Sequence, residues 1–391
     1  MLSVGRLRGR VLVLATVIVA LLAGGTWFAL SHAQAKQDGH PAASGHGKRA
    51  SQTSAQPLQV LSVTPASHAS DVNGAAPVQV RFSAPLAADS PLPKVSPHTP
   101  GSWQRTSATT VEFMPDKAFS QHAHVTVRIP GGAAGMKSAG GGLLATRVVA
   151  RFRVGAWSST RLDQLLAQLG YLPLTWTPAP GAANPAATDA SGQRSAAFSP
   201  PAGTFTWNHG YPRELRSFWR KGHPSLVLQG AIMAFESDHL MTMDGIAGPA
   251  VWHALFKAVA AGQQNAHGYT YARASEDSPE TLTVWHDGHV VLRTLANTGI
   301  PAAPTTVGTA PVYLRYRFQI MKGTNPDGTK YADPVSYVSY FRAGEAVHYF
   351  PRASYGFPQS LGCVELPLAA AAKAWPYLTY GSLVTVEPPP A

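Results

Sequence analysis

The sequence predicts a multidomain, mainly β protein in which one helical region separates two β-rich regions. Glycine and proline are plentiful, with 36 and 33 residues, while lysine and glutamate are scarce, and this composition favours strands and loops over helical bundles. Alternating apolar and polar residues fill short runs within residues 57–155 and 267–388, whereas residues 159–260 have apolar positions at helical spacing. A chain of 391 residues is long enough for two or three domains.

An apolar segment lies close to the N-terminus. Three arginines within residues 6–10 precede residues 11–30, a run long enough to cross a bilayer as a helix. Arginines on the N-terminal side keep that end in the cytoplasm and export the rest. The triplet Ala33-Gln34-Ala35 also resembles a signal-peptidase site. We interpret residues 1–35 as a transmembrane anchor or a cleaved signal peptide, and either one places the protein in the cell envelope, outside the cytoplasm.

The chain is strongly basic, with a net charge of +11 and a pI near 9.8. A basic surface attracts polyanions in general. The arginines and lysines are scattered and no nucleic-acid motif is present, so we expect anionic polymers of the envelope as partners rather than nucleic acid. The N-terminal helix is expected to contact the cytoplasmic membrane, and no protein partner is predicted.

Residues 36–56 are polar and low in complexity, which is typical of a flexible linker. The alternating runs of residues 57–155 are separated by Gly, Pro and Asp clusters, a pattern that predicts a β-sandwich. The opening Val63-Thr64-Pro65 and the run Val80-Arg81-Phe82-Ser83 resemble the bacterial Ig-like domains of wall-anchored proteins. The resemblance implies a spacer or a binding module.

Residues 159–260 have helical patterns on both sides of a Pro/Ala/Gly-rich insertion at residues 177–203. A Gly-containing turn followed by a Pro that opens a helix is physically coherent, because Gly supplies the turn and Pro suits the first helical position. Leu228-Gln229, Asp244-Gly245-Ile246 and Gly248-Pro249 resemble the signature of peptidoglycan-binding domains, a small three-helix fold. The alternative is a structural helical subdomain.

Cys363 is the only cysteine, which excludes an intrachain disulfide, and it follows His348 by 15 residues. A lone cysteine is more often a small buried apolar residue. A thiol becomes a strong nucleophile as a thiolate, and a nearby imidazole can take its proton. Gly362 allows a tight turn beside the thiol, and this turn is expected to present the backbone amides of residues 361–363 to an oxyanion.

Residues 267–388 resemble the L,D-transpeptidase catalytic domain (YkuD type), a β-rich fold with a short helix after the cysteine. That family carries a His, a spacer of this length and then Ser/Thr-x-Gly-Cys, which His348, Ser360, Gly362 and Cys363 match. The resemblance implies that the cysteine is the nucleophile and the histidine the base. It also implies that the serine orients the imidazole through its carbonyl or hydroxyl, and that the glycine shapes the turn.

The implied reaction begins when the cysteine attacks the carbonyl before the terminal D-residue of a peptidoglycan tetrapeptide stem. D-Alanine leaves and a thioester forms. An amine on the third residue of a neighbouring stem then resolves the thioester and gives a 3→3 crosslink. The resemblance thus implies peptidoglycan as the substrate and no metal or organic cofactor. Tyr337 and Tyr340 are candidate residues of the substrate cleft, although strand packing explains them equally well.

Two residues depart from the family pattern. The family usually has His or Arg where this chain has Leu361, and Arg where it has Glu365. Arg342 or Arg352 is expected to supply the missing cation. We take Leu361 and Arg352 as candidate substrate-binding residues beside the two tyrosines.

Three alternatives remain open. Water in place of the acceptor amine would make the enzyme an L,D-carboxypeptidase with the same acyl-enzyme. Sortases also use an exported Cys and His, but they carry a Thr-Leu-x-Thr-Cys strand and a downstream arginine, and no arginine follows Cys363. A wall-binding scaffold without catalysis is the alternative that Leu361 and Glu365 favour.

Overall fold

The computed structural model describes residues 55–389. The predicted anchor or signal peptide (1–35) and nearly all of the predicted linker (36–56) lie outside these residues. Within the part that is described, no helix is long and apolar enough to cross a membrane. We refer below to an N-terminal region (55–155), a helical region (156–262) and a C-terminal region (263–389).

The N-terminal region consists of seven strands: β1 (Val60–Thr64), β2 (Val78–Phe82), β3 (Lys94–Ser96), β4 (Gly101–Ser107), β5 (Thr110–Pro115), β6 (His124–Ile129) and β7 (Val148–Arg153). They form two antiparallel sheets with the strand orders β1-β2-β5-β4 and β3-β6-β7. In β2, Val78, Val80 and Phe82 are buried while Arg81 is exposed. Inward-facing residues of both sheets meet in one core, which confirms the predicted β-sandwich.

The helical region contains five helices and a pair of strands: α1 (Ser159–Gln168), β8 (Leu174–Pro178), α2 (Ala190–Phe198), β9 (Gly203–Trp207), α3 (Arg213–Ser217), α4 (Leu226–Asp238) and α5 (Pro249–Ala260). The three predicted helices are α1, α4 and α5. Gly248 is the N-cap of α5 and Pro249 takes its first position, as the sequence predicts. The insertion contains α2, and the strands at its two ends, β8 and β9, pair antiparallel.

A buried polar contact holds the insertion on α1. The Arg161 guanidinium donates to Gln164 Oε1 at 3.0 Å and to Gln193 Oε1 of α2 at 2.7 Å. Gln164 donates in turn to the carbonyl of Pro201 at 2.9 Å. Burial lowers the pKa of Arg161 to about 10, so the side chain stays charged at neutral pH. These contacts give the Pro/Ala/Gly-rich segment a defined position that its composition does not predict.

The C-terminal region has nine strands and one helix: β10 (Thr270–Ser275), β11 (Thr281–His286), β12 (His289–Leu295), β13 (Gly308–Pro311), β14 (Leu314–Thr324), β15 (Lys330–Arg342), β16 (Glu345–Tyr349), β17 (Val364–Leu366), α6 (Leu368–Ala374) and β18 (Leu383–Glu387). One sheet has the order β12-β11-β10-β18-β13 and the other the order β14-β15-β16-β17. Buried alanines of α6 join a core with residues from both sheets. The predicted β-rich fold with a short helix after the cysteine is thereby confirmed.

The helical and C-terminal regions share one apolar core. Tyr271, Trp285 and Leu383 of the five-stranded sheet pack with buried residues of α1, α4 and α5. At the contact between α4 and the turn before β18, a Cβ atom on Gly230 would lie 2.4 Å from the carbonyl oxygen of Gly381. The backbones therefore touch at this point, and the helical region packs against the five-stranded sheet of the C-terminal region.

Candidate active site

The turn that carries Cys363 is closed by the side chain of Ser360. The Ser360 hydroxyl donates to the carbonyl of Cys363 at 2.6 Å and accepts the Gly362 amide at 3.1 Å. Gly362 has a φ of 108°, in the region that favours glycine. The serine thus fixes the turn itself. Within residues 55–389, neither its hydroxyl nor its carbonyl is hydrogen-bonded to His348, which differs from the orienting role expected from the sequence.

A neighbouring segment braces this turn through backbone hydrogen bonds. The carbonyl of Thr298 accepts the amides of Gln359 and Ser360, both at 2.9 Å, and the amide of Ile300 donates to the Ser360 carbonyl at 2.9 Å. The Thr298 amide and hydroxyl donate to the carboxylate of Glu280, a residue that is only 2% exposed. The nucleophile turn therefore rests on a buried polar framework rather than on a free loop.

His348 lies on β16 and is held by its own backbone. Its imidazole is buried, and Nδ1 lies 3.0 Å from the carbonyl oxygen of Tyr349. Since a carbonyl can only accept, Nδ1 carries the proton and the lone pair of Nε2 is free to take another. Burial lowers the pKa of His348, against a smaller raising effect of the Tyr349 carbonyl and Glu365. The imidazole is therefore neutral at pH 7, as a general base has to be.

Strand pairing brings Cys363 to the same face as His348. β16 and β17 pair in parallel, with His348 opposite Glu365. Because side chains alternate along a strand, Cys363 lies on the face of Glu365, two positions before it, and is a diagonal neighbour of the imidazole. Both side chains line one cavity of about 240 Å³. The structure thus brings the two predicted catalytic residues together.

The thiol and the imidazole are not hydrogen-bonded to each other in the described part of the chain. Cys363 Sγ lies 3.9 Å from the carbonyl oxygen of Gly344, in the turn between β15 and β16. Burial raises the pKa of the Cys363 thiol to about 12, against a smaller lowering effect of a backbone hydrogen bond from Ala346. The charges of Glu365 and Glu345 act in the same direction as burial. The thiol is accordingly protonated at pH 7, and the site is at rest with two neutral groups.

Two backbone amides at the turn are free to receive an oxyanion. The amides of Leu361 and Cys363 have no hydrogen-bond partner among residues 55–389, whereas the amide of Gly362 is used by Ser360. Two donors at one turn are enough for an oxyanion hole. The expectation of three such amides is therefore corrected to two.

A long hairpin forms the far wall of the cavity, and sequence reasoning missed it. β14 and β15 pair along their whole length, and four residues near the tip line the cavity: Met321, Asn325, Tyr331 and Asp333. The run Asn325-Pro326-Asp327-Gly328 at the tip is a turn signal between two alternating stretches, so the hairpin was predictable. That its tip borders the active-site cavity was not.

Arg352 lines the cavity as predicted, but its charge is neutralised there. It donates to both carboxylate oxygens of Glu365, from Nε at 2.8 Å and from Nη2 at 2.9 Å, and to the carbonyl of Gln359 at 3.0 Å. The guanidinium also lies over the ring of Phe350, 4.7 Å from its centroid. Glu365 is 4% exposed, so the ion pair is largely removed from water. Arg352 is therefore not the free cation that the sequence analysis expected.

The remaining candidates divide between the cavity and its surroundings. Leu361 lines the cavity. Tyr340 packs in a small apolar cluster that includes Cys363, and its hydroxyl is hydrogen-bonded to Gln319. Tyr337 instead packs against Trp375, outside the cavity lining.

Arg342 lies outside the cavity lining as well. It donates to the carbonyls of Val307 and Thr309, both at 3.3 Å. The expectation that Arg342 replaces the family's arginine is therefore wrong, and Tyr337 is better explained by packing.

The raised pKa of the thiol predicts an unusual alkylation profile. The thiolate fraction rises about tenfold per pH unit until the pKa is reached, so the rate of reaction of Cys363 with iodoacetamide should still increase from pH 9 to pH 10. The same interval should raise the rate of a cysteine peptide, measured in parallel, by less than about twofold, because a thiol with a pKa near 8.5 is already largely ionised at pH 9. The His348→Gln variant should give the same profile as the parent, because the resting thiol makes no contact with the imidazole. A plateau near pH 7 in the parent protein would show an imidazolium–thiolate pair instead.

The buried ion pair predicts a large cost when one partner is removed. Arg352→Gln leaves the Glu365 carboxylate buried without its cation, and we expect a loss of about 3 kcal/mol in the free energy of unfolding, measured in urea. The double variant Arg352→Gln/Glu365→Gln should lose less than the sum of the single variants. Arg342→Gln is the matched control and should cost less than about 1 kcal/mol. Equal losses for the two arginines would contradict the pairing.

Comparison with known proteins agrees with this architecture. The family model for the L,D-transpeptidase catalytic domain matches residues 270–386, and the model for a bacterial Ig-like domain matches residues 54–154. A search of curated proteins returned no match.

Several solved structures are similar to the chain. An L,D-transpeptidase from Mycobacterium smegmatis is 16% identical, with 85% of this chain and 100% of that chain covered and a TM-score of 0.28. L,D-transpeptidase 3 from Mycobacterium tuberculosis is also 16% identical, with 84% of this chain and 98% of that chain covered and a TM-score of 0.29. The catalytic domain of an E. faecium L,D-transpeptidase is 28% identical, with 30% of this chain and 95% of that chain covered and a TM-score of 0.28. With TM-scores this low, the assignment rests on the family models: the chain contains an L,D-transpeptidase catalytic domain at residues 270–386 and a bacterial Ig-like domain at residues 54–154.

Proposed function

We propose that the protein is a peptidoglycan L,D-transpeptidase that forms 3→3 crosslinks through an acyl-enzyme on Cys363. The observation that carries this proposal is the single cavity lined by Cys363 and His348, with the imidazole neutral and its Nε2 lone pair free. The family match at residues 270–386 supports the reaction class. The tetrapeptide stem, the released D-alanine and the acceptor amine are parts of the proposal.

The first half-reaction transfers the stem to the cysteine. The thiol leaves the Gly344 carbonyl and gives its proton to Nε2 of His348, and the sulfur attacks the carbonyl between the third and fourth stem residues. The resulting oxyanion is received by the amides of Leu361 and Cys363. The imidazolium then protonates the departing amine of D-alanine, which leaves a thioester and a neutral imidazole.

The second half-reaction uses the same two groups in reverse. The acceptor amine loses its proton to His348 while its nitrogen attacks the thioester carbonyl. Collapse of the tetrahedral intermediate breaks the bond between carbon and sulfur, and the proton returns to the thiolate. Water in place of the amine would give hydrolysis and thus the L,D-carboxypeptidase activity. A cavity that excludes water in favour of the amine would favour crosslinking.

A carbapenem tests the nucleophile directly, because opening of the β-lactam ring leaves the drug attached as an acyl-enzyme. We expect a mass increase equal to one drug molecule on the parent protein, on the peptide that contains Cys363. Cys363→Ala should give no adduct, and His348→Gln should slow its formation by at least about a hundredfold, the size of a general-base effect. A folded parent protein that forms no adduct would favour the scaffold alternative.

The products formed from purified disaccharide-tetrapeptide separate the remaining alternatives. Mass spectrometry should detect a crosslinked dimer together with free D-alanine. A tripeptide without dimer would identify a carboxypeptidase instead.

We propose that the protein acts in the cell envelope, since its substrate lies outside the cytoplasmic membrane. Residues 1–35 would then hold it at the membrane or direct its secretion. Peptidoglycan binding by the helical region is a further part of the proposal. A groove of about 580 Å³ there is lined by apolar residues that include Leu226, Leu228, Ile232 and Ile246, and it has the size of a ligand site.

An exposed residue of this groove allows a test that leaves the shared core intact. Ile246 is 66% exposed, and Ile246→Asp should weaken retention on purified sacculi on the order of tenfold if its side chain packs on the polymer. Leu240, which is 96% exposed and does not line the groove, provides the control Leu240→Asp. Equal retention of the two variants would exclude this groove as a binding site. Deleting residues 159–260 is a poor test, because these helices share a core with the sheet of the C-terminal region.

A further inference from the structure

A second cavity lies where the N-terminal region meets the helical region. Its volume is about 620 Å³, within the range of binding sites for small ligands. One wall is the loop that comes after β5 of the sandwich. The start of α2 forms another wall, and the second half of α5 forms a third. No residue lines both this cavity and the one that contains Cys363. We call it the junction cavity.

The junction cavity is basic. Lys117, Arg194 and Lys257 contribute three positive charges to its lining, to which His253 also belongs. No carboxylate belongs to the lining. None of the three cations forms an ion pair within residues 55–389. Arg194 donates to the backbone carbonyl of Asp116 at 2.7 Å, which orients the guanidinium without neutralising it. Three unpaired cations around one cavity favour an anionic ligand.

The same cavity has a rigid aromatic wall. Trp157 and Phe256 belong to its lining, with ring centroids 6.3 Å apart, and Trp157 lies 5.1 Å from the ring of Trp252. The backbone amide of Trp157 donates to Gln121 Oε1 at 2.8 Å, which ties the helical region to the sandwich. The aromatic wall is therefore fixed by both regions, and it offers apolar faces beside the three cations.

We propose that the junction cavity is a further binding site for anionic peptidoglycan, separate from the catalytic cavity and from the groove that Ile246 lines. Stem peptides carry carboxylates that match the cations, and the apolar faces of sugar rings match Trp157 and Phe256. This inference rests on the proposed function, since the polymer is the same. It gives the sandwich and the insertion a shared role, because α2 of the insertion supplies one wall of the cavity and the sandwich another.

The test compares two triple variants of the full chain that have the same net charge. The cavity variant is Lys117→Glu/Arg194→Glu/Lys257→Glu. The control is Arg128→Glu/Arg147→Glu/Arg151→Glu, at three exposed positions of the N-terminal region that do not line the cavity. Binding to solubilised sacculus fragments is measured over a series of salt concentrations. We expect the Kd of the cavity variant to rise on the order of tenfold, with a weaker dependence on salt, and the Kd of the control to change by less than about twofold.

Three results would overturn the proposal. These are unchanged binding by the cavity variant, equal losses in both variants, and a loss that is found with duplex DNA but not with sacculus fragments. Far-UV circular dichroism checks the fold, and the milder Lys117→Gln/Arg194→Gln/Lys257→Gln variant should give a smaller loss in the same direction. Carbapenem acylation of Cys363 should be the same in all variants. If the parent protein forms no adduct, the proposed function fails, while the binding data still decide whether the junction cavity is a site.

Discussion

The parallel pairing of β16 with β17 is the constraint on which the active site depends. It places His348 opposite Glu365 and sets Cys363 on the same face, so that the proposed base, the proposed nucleophile and the ion pair all border one cavity. A shift of one residue in this register would turn the cysteine and Glu365 to the other face. The turn before β17 prevents such a shift, because the backbone of Ser360 is hydrogen-bonded to the backbones of Thr298 and Ile300. Much of the C-terminal region thus serves to hold one register.

Burial sets the charge state of the resting site. It lowers the pKa of His348 and raises that of Cys363, so both groups are neutral and the thiol rests on the Gly344 carbonyl. An imidazolium–thiolate pair in the same place would need to recover the cost of moving two charges out of water. The structure therefore favours a mechanism in which the proton moves only when a substrate carbonyl is in place and the oxyanion can be received.

The elements that could be predicted from the sequence are those with local signals. Alternation revealed the sandwich strands, helical spacing revealed α1, α4 and α5, and the His/Ser-x-Gly-Cys pattern indicated the proposed catalytic pair. The contacts that join distant segments could not be predicted in this way. The position of the insertion depends on a hydrogen bond between Arg161 and Gln193. The helical region completes its core with residues from the five-stranded sheet, which comes later in the chain. The free amides of the turn were overcounted because the use of one amide by Ser360 has no sequence signal.

The Arg352–Glu365 pair explains how the chain departs from its family pattern without losing the site. A glutamate placed alone beside the half-buried Cys363 would oppose formation of the thiolate, and its own burial would be unfavourable. Arg352 lessens both effects, because it binds both carboxylate oxygens of Glu365. It also donates to the Gln359 carbonyl next to the nucleophile turn. The arginine of the preceding loop is thus engaged by Glu365 and does not supply a free cation to the cavity. Since the pair has no net charge and Asp333 also lines the cavity, we expect substrate recognition here to depend on shape and hydrogen bonding more than on attraction of a carboxylate.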